Sequence, residues 1–273
     1  MCSTLEVARS GYYRYEKTPK IDKNMEVIIE IKALHTKVRA SYGSRRIAKH
    51  LQKNGHQIGR YKVRSLMGKI GIACKQRRRY KVTTQANLKH PVAENILNRN
   101  FAVAELNRVW VADITYIATH EGWLYLAAVL DVCSRRIIGW AFGIHMRESL
   151  VGSALAMALG RRSSPENVLH HSDRGSQYTS VAYQTALQEA GITVSMSRKG
   201  NCWDNAVMER FFGSLKSERT EYKKYITRIQ AKADIIDYME MFYNSQRLHS
   251  TLGYQSPLAY EKEIVSQKMS TFT

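Results

Sequence analysis

Several features are missing from this sequence, and each absence excludes a class of protein. No apolar run approaches the roughly 20 residues that cross a bilayer, and the N-terminus lacks the order of segments found in a signal peptide. The four cysteines are scattered, with no CxxC pair and no finger spacing to paired histidines. A zinc domain is therefore not supported, and buried or free thiols are expected. The sequence predicts a cytoplasmic protein without a membrane partner.

Acidic residues are scarce at one end of the chain. Residues 1–100 contain 23 Lys and Arg against 6 Asp and Glu, whereas the remaining residues contain 19 against 17. Nearly all of the net charge of +19 thus lies in the first third, which indicates a nucleic-acid-binding arm on a nearly neutral body. Binding to phosphates should then be strongly salt-dependent. The alternative is a merely soluble basic domain.

The first third contains a pattern typical of a helix-turn-helix. An irregular segment is expected over 1–22, followed by a helix from Asn24 to about Val38. Within residues 23–75 a helix beginning near Ser44 ends at Asn54–Gly55, and a basic helix follows. The second helix of such a pair can enter a major groove, so its basic residues are candidate DNA contacts: Arg60, Lys62 and Arg64. Residues 76–100 are predicted to be a basic linker whose arginines follow DNA: Arg77, Arg78 and Arg79.

The composition changes near residue 101, where Val, Ile, Trp and Tyr become frequent. Three consecutive strands are predicted to form an antiparallel meander, and alternating helices and strands are predicted to follow. The five strands cover about 108–118, 123–131, 136–143, 167–172 and 192–197. Helices are predicted over 148–160 and 178–190, from about 205, and over 228–244. This order predicts an α/β core over 101–265, with a mixed five-stranded sheet flanked by helices, and a tail over 266–273.

Three acidic residues stand out by their positions. Asp113 lies within a strand-like run, Asp173 closes a predicted strand and Glu209 flanks the apolar stripe of a helix. Taken singly, each has a structural explanation as a salt-bridged edge residue, a turn residue or a solvated helix residue. Together, however, they could converge at one edge of the sheet, where their mutual repulsion calls for hard cations. Magnesium suits such oxygen ligands, and two ions about 4 Å apart would support phosphoryl displacement.

These residues also carry a family resemblance. The blocks WVADITY, HSDRGSQY and NAVMERFFGSLKSE resemble the catalytic core of DDE transposases and retroviral integrases. Thirty-five residues separate Asp173 from Glu209, which is the spacing of the DD(35)E signature, and Lys216 matches its basic residue. The segment 243–261 is similar to the closing block of the family. The chain resembles most closely the second-frame (OrfB) transposase of IS-three-type bacterial insertion sequences, over about 35–262.

The resemblance implies a ribonuclease H-like fold, with Asp113, Asp173 and Glu209 as catalytic residues and as ligands of Mg²⁺, or of Mn²⁺ as a substitute. It implies DNA cleavage that frees a 3′-OH and direct transfer of that end to target DNA, without a covalent enzyme intermediate. The implied partners are the double-stranded transposon ends and target DNA, further copies of the chain on DNA and a first-frame (OrfA) protein, all at the bacterial nucleoid. Candidate phosphate contacts in the core are Arg174, Arg198, Lys199 and Lys216.

Several residues and readings stay open at this point. Asp204 or Asn205 could cap the catalytic helix or contact substrate. His170 and His171 could order a metal site or pack in the strand end, and Arg247 and His249 match the family without an assigned role. The alternatives are a DNA-binding regulator with a catalytically idle core, or an accessory second-frame product that is inactive without the first-frame protein. A regulator would need only the basic arm and has no reason to carry three acidic residues at this spacing. A nuclease of RNA–DNA hybrids would suit the fold but not Lys216 or the C-terminal block.

Overall fold

A computed structural model describes Thr4 and residues 7–17, 24–75, 93–198 and 201–270. The chain divides into two compact units, Met1–Lys75 and Gln76–Thr273. Four of the predicted DNA contacts lie outside the described residues: Arg77, Arg78, Arg79 and Lys199. Within the described part, no helix is long and apolar enough to cross a membrane.

The first unit is helical, and its helices are α1 (Arg9–Lys17), α2 (Met25–Lys37), α3 (Ser44–Lys53) and α4 (Arg60–Lys69). Helix α1 differs from the prediction of an irregular segment. The described side chains of this helix are exposed, so no apolar stripe marks it in the sequence. Helix α3 begins at Ser44 as predicted, but Gly43 is its N-cap and Ser44 makes no side-chain cap.

The helix-turn-helix packs around a small apolar core. Each of the three longer helices of this unit contributes fully buried side chains, among them Ile31, Ile47, Leu51 and Val63. Gly55 holds the turn after α3 with a φ of +95°, a conformation that favours glycine. Glu30 on α2 accepts hydrogen bonds from Asn54 (2.5 Å) and His56 (2.6 Å), and these bonds attach the turn to α2. The result is a helix α4 with one buried side and one exposed basic side.

The second unit is built on one five-stranded sheet of order β3-β2-β1-β4-β5. Its strands are β1 (Val109–Thr119), β2 (Gly122–Asp131), β3 (Ile137–Gly143), β4 (Leu169–Ser172) and β5 (Thr193–Met196). The first three form an antiparallel meander, and β1, β4 and β5 pair in parallel. The mixed sheet flanked by helices confirms the predicted ribonuclease H-like fold class.

Helices cover both faces of this sheet: α5 (Glu148–Arg162), α6 (Val181–Glu189), α7 (Ala206–Leu215), α8 (Arg228–Ile236) and α9 (Pro257–Ser270). Strand residues alternate between the two faces, so that β1 sends Trp110 and Ala112 towards α5 and α6. Val111 and Ile117 face the opposite way, into the core formed with α7 and α8. Both faces are therefore buried, and polar side chains on β1 need a specific environment.

The boundaries of this unit differ from those expected. Residues 93–100, predicted as part of a linker, belong to it because Leu97 is buried in its core. Helix α9 continues to Ser270, through most of the predicted tail, and Glu261 anchors it by an ion pair with Arg136 at 2.5 Å. Two helices also change form, with π-helical segments at Lys216–Thr220 and Asp237–Asn244. Long-range contacts, which local periodicity does not encode, set these limits.

Gly139 on β3 provides a direct test of the packing between the sheet and α5. A methyl group at this position would lie 2.2 Å from the carbonyl oxygen of Ala154 and 2.8 Å from Ala158 Cβ. Because the obstacle is helix backbone, Gly139→Ala should lower the free energy of unfolding by about 3 kcal/mol. Urea denaturation measures this value. Gly152→Ala on α5, which meets nothing within 4 Å, is the control and should be neutral or up to about 1 kcal/mol more stable.

Candidate active site

Asp113 and Asp173 meet where β1 runs past the end of β4. Val111 is paired with His171 in the parallel ladder, and each aspartate lies two residues further along its chain. Both aspartates lie just beyond this paired segment, and they are close enough for the charge of Asp173 to act on Asp113. Asp113 shares the alternation of Val111, so it lies on the sheet face that α7 covers. The topology thus brings together two carboxylates that are 60 positions apart in the chain.

The electrostatics of this pair are unfavourable. Burial raises the pKa of Asp113 well above its ordinary value, and the charge of Asp173 raises it further. The backbone N–H of Ile114, 2.7 Å from Asp113 Oδ1, offsets only part of this effect. Burial also raises the pKa of Asp173, against a hydrogen bond of 2.9 Å from the Gly175 N–H. Two acidic side chains are therefore held where ionisation of both is costly.

Glu209 and Lys216 approach this pair from α7 and the turn after it. Glu209 is exposed in the first turn of α7, and its charge also raises the pKa of Asp113. Lys216 follows Glu209 by seven residues, at the point where α7 ends and the chain turns π-helical. Lys216 is half-buried, with its Nζ 5.0 Å from the ring centre of Tyr116, and its charge lowers the pKa of Asp113. The site therefore combines three carboxylates with one cation.

The donor set fits a divalent cation only in part. In the described ranges, no three His, Cys, Asp or Glu side chains lie close enough to coordinate one ion as they stand. The aspartate pair nevertheless offers hard oxygen ligands whose repulsion a cation would relieve. Gly175 approaches the site closely, since a Cβ there would lie 2.9 Å from Gln177 Oε1 and 3.0 Å from Asp173 Oδ1. The buried Tyr178 hydroxyl, whose pKa burial and both aspartates raise, finds no hydrogen-bond partner among the described residues.

The two histidines before Asp173 are core residues. His170 Nε2 lies 3.0 Å from the Tyr183 hydroxyl, and His171 bridges Ser195 (2.8 Å) and Ser197 (3.1 Å) through its two ring nitrogens. Burial lowers the pKa of His170 to about 3 and that of His171 to about 4. Both rings are therefore neutral at physiological pH, and they support the strand end that carries Asp173.

Asp204 is a structural anchor that sequence reasoning did not identify. Its fully buried carboxylate accepts bonds from Arg99 Nε (2.8 Å), Asn95 Nδ2 (2.9 Å) and both the backbone (2.9 Å) and the side chain of Arg198. Burial alone would raise the pKa of Asp204, but these donors hold it well below its usual value. Asp204 is thus not the N-cap residue of α7, a position that Asn205 holds. In the sequence, only the position of Asp204 within the block NCWDN could have indicated this role.

Asn205 connects the same turn to β1. Its side-chain amide donates a 3.1 Å hydrogen bond to the carbonyl of Ala112, the residue before Asp113. Asn205 occupies the N-cap position of α7 but makes no side-chain cap. The start of the helix that carries Glu209 is therefore tied to the strand that carries Asp113.

Arg247 and His249 close the C-terminal block onto the turn after α7. The Arg247 guanidinium, nearly fully buried, bonds both carboxylate oxygens of Glu218, the closest at 2.6 Å. Tyr238 donates a third hydrogen bond of 2.8 Å to the same carboxylate. His249 packs edge-on against the Tyr243 ring, with centres 5.0 Å apart. Both residues have a structural place, away from the aspartate pair.

The predicted DNA contacts within the described chain have different surroundings. Arg60, Lys62 and Arg64 are exposed on α4, and the Arg60 guanidinium lies 4.5 Å from the ring centre of Tyr61. Arg174 is half-buried and donates a 2.6 Å hydrogen bond to the carbonyl of Ser197. Arg198 is partly committed to Asp204, although about half of its side chain is exposed. DNA contact by any of these residues stays a prediction.

Comparisons with known proteins agree with this division of the chain. An HTH-like domain family matches residues 22–80, and two integrase core domain families match 104–202 and 190–257. A helix-turn-helix-like unit before an integrase core defines a DNA-binding polynucleotidyl transferase. The chain is 44% identical to a 31 kDa protein of insertion element IS600 from Shigella sonnei, over 96% of this chain and 98% of that protein.

A second relative is similar over a comparable length. It is the transposase InsF for insertion sequence IS3A of Escherichia coli, 37% identical over 96% of this chain and 93% of its own length. The catalytic core domain of BIV integrase aligns at 17% identity over 60% of this chain and 99% of that one, with a TM-score of 0.42. The chain belongs to the transposases of IS3-type bacterial insertion sequences.

Proposed function

We propose that this transposase cuts DNA at the ends of its insertion sequence and joins the released 3′-OH to target DNA, with Asp113, Asp173 and Glu209 as the reactive carboxylates. The observation that carries the proposal is the pair formed by Asp113 on β1 and Asp173 just past the end of β4, where each ionised group costs folding free energy. Titratable groups held in such an environment cluster at functional sites.

Asp113 and Asp173 would hold a divalent cation between them, and Glu209 would help to hold a second. Mg²⁺ suits the oxygen donors, and Mn²⁺ would substitute for it. Two such ions would supply activation of the attacking oxygen and stabilisation of the leaving oxygen in an in-line displacement. The repulsion between the two aspartates, which a cation would relieve, supports this assignment.

The remaining residues of the site would bind and orient DNA. Lys216 is a half-buried cation beside the carboxylates, suited to a phosphate next to the cleaved bond. Arg174, fixed on the carbonyl of Ser197, and Arg198 would contact neighbouring phosphates. In the N-terminal unit, the exposed side of α4 would enter the major groove of the element's end.

Both chemical steps exchange one phosphodiester bond for another bond to the same phosphorus. In the first, water attacks the phosphorus at the end of the element, and the bond to the 3′ oxygen breaks. In the second, that 3′ oxygen attacks a target phosphorus and displaces a target 3′ oxygen, so that no energy-rich cofactor is required. No serine or tyrosine nucleophile is needed in either step.

Two partners follow from the reaction rather than from the fold. An element has two ends, so two or more copies of the chain would act together on DNA. A first-frame protein would supply additional end recognition, and the reaction would take place at the bacterial nucleoid.

Removal of divalent metal should stop both steps. We expect purified protein to release a labelled 3′ end from a duplex of the element's terminal sequence, and to join it to a plasmid, with Mg²⁺ or Mn²⁺ but not with EDTA. A duplex with the terminal sequence scrambled is the control and should stay uncut. The first-frame protein is added in a parallel reaction. Sequence-specific binding without cleavage in every reaction would instead support the regulator.

A further inference from the structure

The β1–β2 hairpin carries an aromatic pair near its tip, and the proposed function does not use this pair. Tyr116 and Trp123 pack edge to face, with ring centres 4.9 Å apart and planes at 82°. Their side chains remain 37% and 50% exposed, respectively, although each is large and apolar. A single exposed aromatic residue needs no explanation, but a fixed pair beside a reactive site does.

The backbone that presents this pair is rigidly anchored. The N–H of His120 donates to the Tyr225 carbonyl (3.0 Å), and the N–H of Arg228 donates to Glu121 Oε2 (2.7 Å). The Arg228 guanidinium also donates a 3.1 Å bond to the carbonyl of Trp123. Gly122 permits this approach, because its φ is +100° and a Cβ there would lie 2.9 Å from the guanidinium. These hydrogen bonds therefore fix the turn that carries the exposed rings.

One cation lies over the Tyr116 ring, and a second lies at the backbone of Trp123. Lys216 Nζ is 5.0 Å from the centre of the Tyr116 ring, and Arg228 lies against the Trp123 backbone. The carboxylate of Glu121 is engaged by the N–H of Arg228. Aromatic faces flanked by cations are the combination that binds unpaired nucleic-acid strands, through stacking on bases and attraction to phosphates.

The pair also lies at a suitable distance from the carboxylates. Tyr116 is three residues from Asp113 along β1, and Trp123 is five residues from Ala128, the partner of Asp113 on β2. At about 3.4 Å per residue these separations are roughly 10 and 17 Å. That span equals about three to five base steps of 3.4 Å. By the alternation along β1, Tyr116 leaves the sheet on the face opposite to Asp113, and so does Trp123, the partner of Ala118. Lys216 links the two, since its Nζ lies 5.0 Å from the centre of the Tyr116 ring and the charge of Asp113 acts on it.

We propose that Trp123 and Tyr116 form a stacking site for unpaired bases of the DNA end, about three to five nucleotides from the bond that is cut. This inference rests on the proposed function, since it takes Asp113 as the position of the reacting phosphate. The site holds the strand open beside the carboxylates, because a base stacked on Trp123 is unavailable for pairing.

The test compares two DNA probes of the element's terminal sequence, one fully paired and one with an unpaired segment at positions three to five from the cleavage point. The wild type should bind the unpaired probe roughly tenfold more tightly, as expected for one stacked base. Trp123→Ala should bring this ratio close to one, and Trp123→Phe should restore most of it. A 5-iodouracil in the unpaired segment should crosslink to Trp123, as mapped by mass spectrometry.

Ile229→Ala is the matched control, because Ile229 is 79% exposed on the neighbouring α8 but has no aromatic face. It should keep the wild-type ratio. An unchanged ratio in Trp123→Ala would overturn the inference. The inference would also be overturned if the ratio fell in Trp123→Ala and ultracentrifugation showed that the copies of the chain had dissociated. The aromatic pair would then belong to an interface between copies.

A failure of the proposed function gives a different result. If Asp113 does not mark the reacting phosphate, the wild type can prefer the unpaired probe while substitution of the carboxylates leaves cleavage intact. If only the stacking site is wrong, cleavage depends on the carboxylates while the ratio does not depend on Trp123.

Discussion

Asp113→Asn and Asp173→Asn are each expected to lower end cleavage by at least about a thousandfold, equivalent to about 4 kcal/mol of transition-state stabilisation. Each change removes one of the carboxylates that we propose as ligands of the metal. Glu209→Gln should have an effect of the same order, because it removes the third carboxylate. Labelled-end cleavage under single-turnover conditions measures the loss. Binding of the same DNA, followed by mobility shift, should persist.

The two aspartate substitutions should also make the protein more stable. Because burial and the charge of Asp173 raise the pKa of Asp113, its ionised form destabilises the folded state. The wild type should therefore lose stability as the pH rises above the ordinary aspartate value of 3.8, and Asp113→Asn should lose less. A variant that is inactive yet melts at a higher temperature cannot owe its inactivity to unfolding.

Glu221→Gln is the control for these variants. Glu221 is exposed and acts electrostatically on Lys216, as Asp113 does, but it lies outside the proposed centre. Its activity should be that of the wild type. If Glu209→Gln also retained full cleavage, Glu209 would have to be removed from the reactive set, while the aspartate pair would be judged on its own variants.

Arg247→Ala should lower the free energy of unfolding by about 3–5 kcal/mol, the usual cost of leaving a buried charge without its partner. Burial alone would lower the pKa of Arg247, but the carboxylate of Glu218 raises it above its usual value. Removal of the guanidinium leaves Glu218 in contact only with the Tyr238 hydroxyl among these partners. Chemical denaturation measures the loss.

Two comparisons separate the buried charge from the loss of packing. The double variant Arg247→Met with Glu218→Met removes both charges and should recover most of the stability. Arg161→Ala breaks an ion pair with Glu240 that is of similar length (2.6 Å) but much more exposed, and it should cost less than about 1 kcal/mol. A loss in Arg247→Ala no larger than that in Arg161→Ala would contradict the buried-pair assignment.

Most of the secondary structure could be predicted from local patterns. The strand predicted over 123–131 is Gly122–Asp131 in the structure, and the helix predicted over 148–160 is Glu148–Arg162. Here the alternation of apolar residues coincides with the faces that are buried. Helix α1 was missed because it buries no face, and the π-helical turn at Lys216 was missed because nothing in the periodicity announces it.

The site itself was only partly predictable. Spacing and resemblance identified Asp113, Asp173 and Glu209, but not the neutral core role of the two histidines or the anchoring role of Asp204. Those roles depend on Ser195, Tyr183 and Arg99, whose proximity no local pattern encodes. The same holds for Arg247, whose partner Glu218 lies 29 residues earlier in the chain.

The sequence by itself determined the helical and strand segments, the basic first third and the acidic residues that belong to the transposase family. Each of these is a property of residue type and spacing along the chain. Only the tertiary structure decided that Asp113 and Asp173 are neighbours, that Arg247 is buried on Glu218 and that Trp123 stands exposed on an anchored turn. The physical reason is that burial and charge pairing depend on distances in space, which the register of β1 with β4 and the packing of helices on the sheet establish.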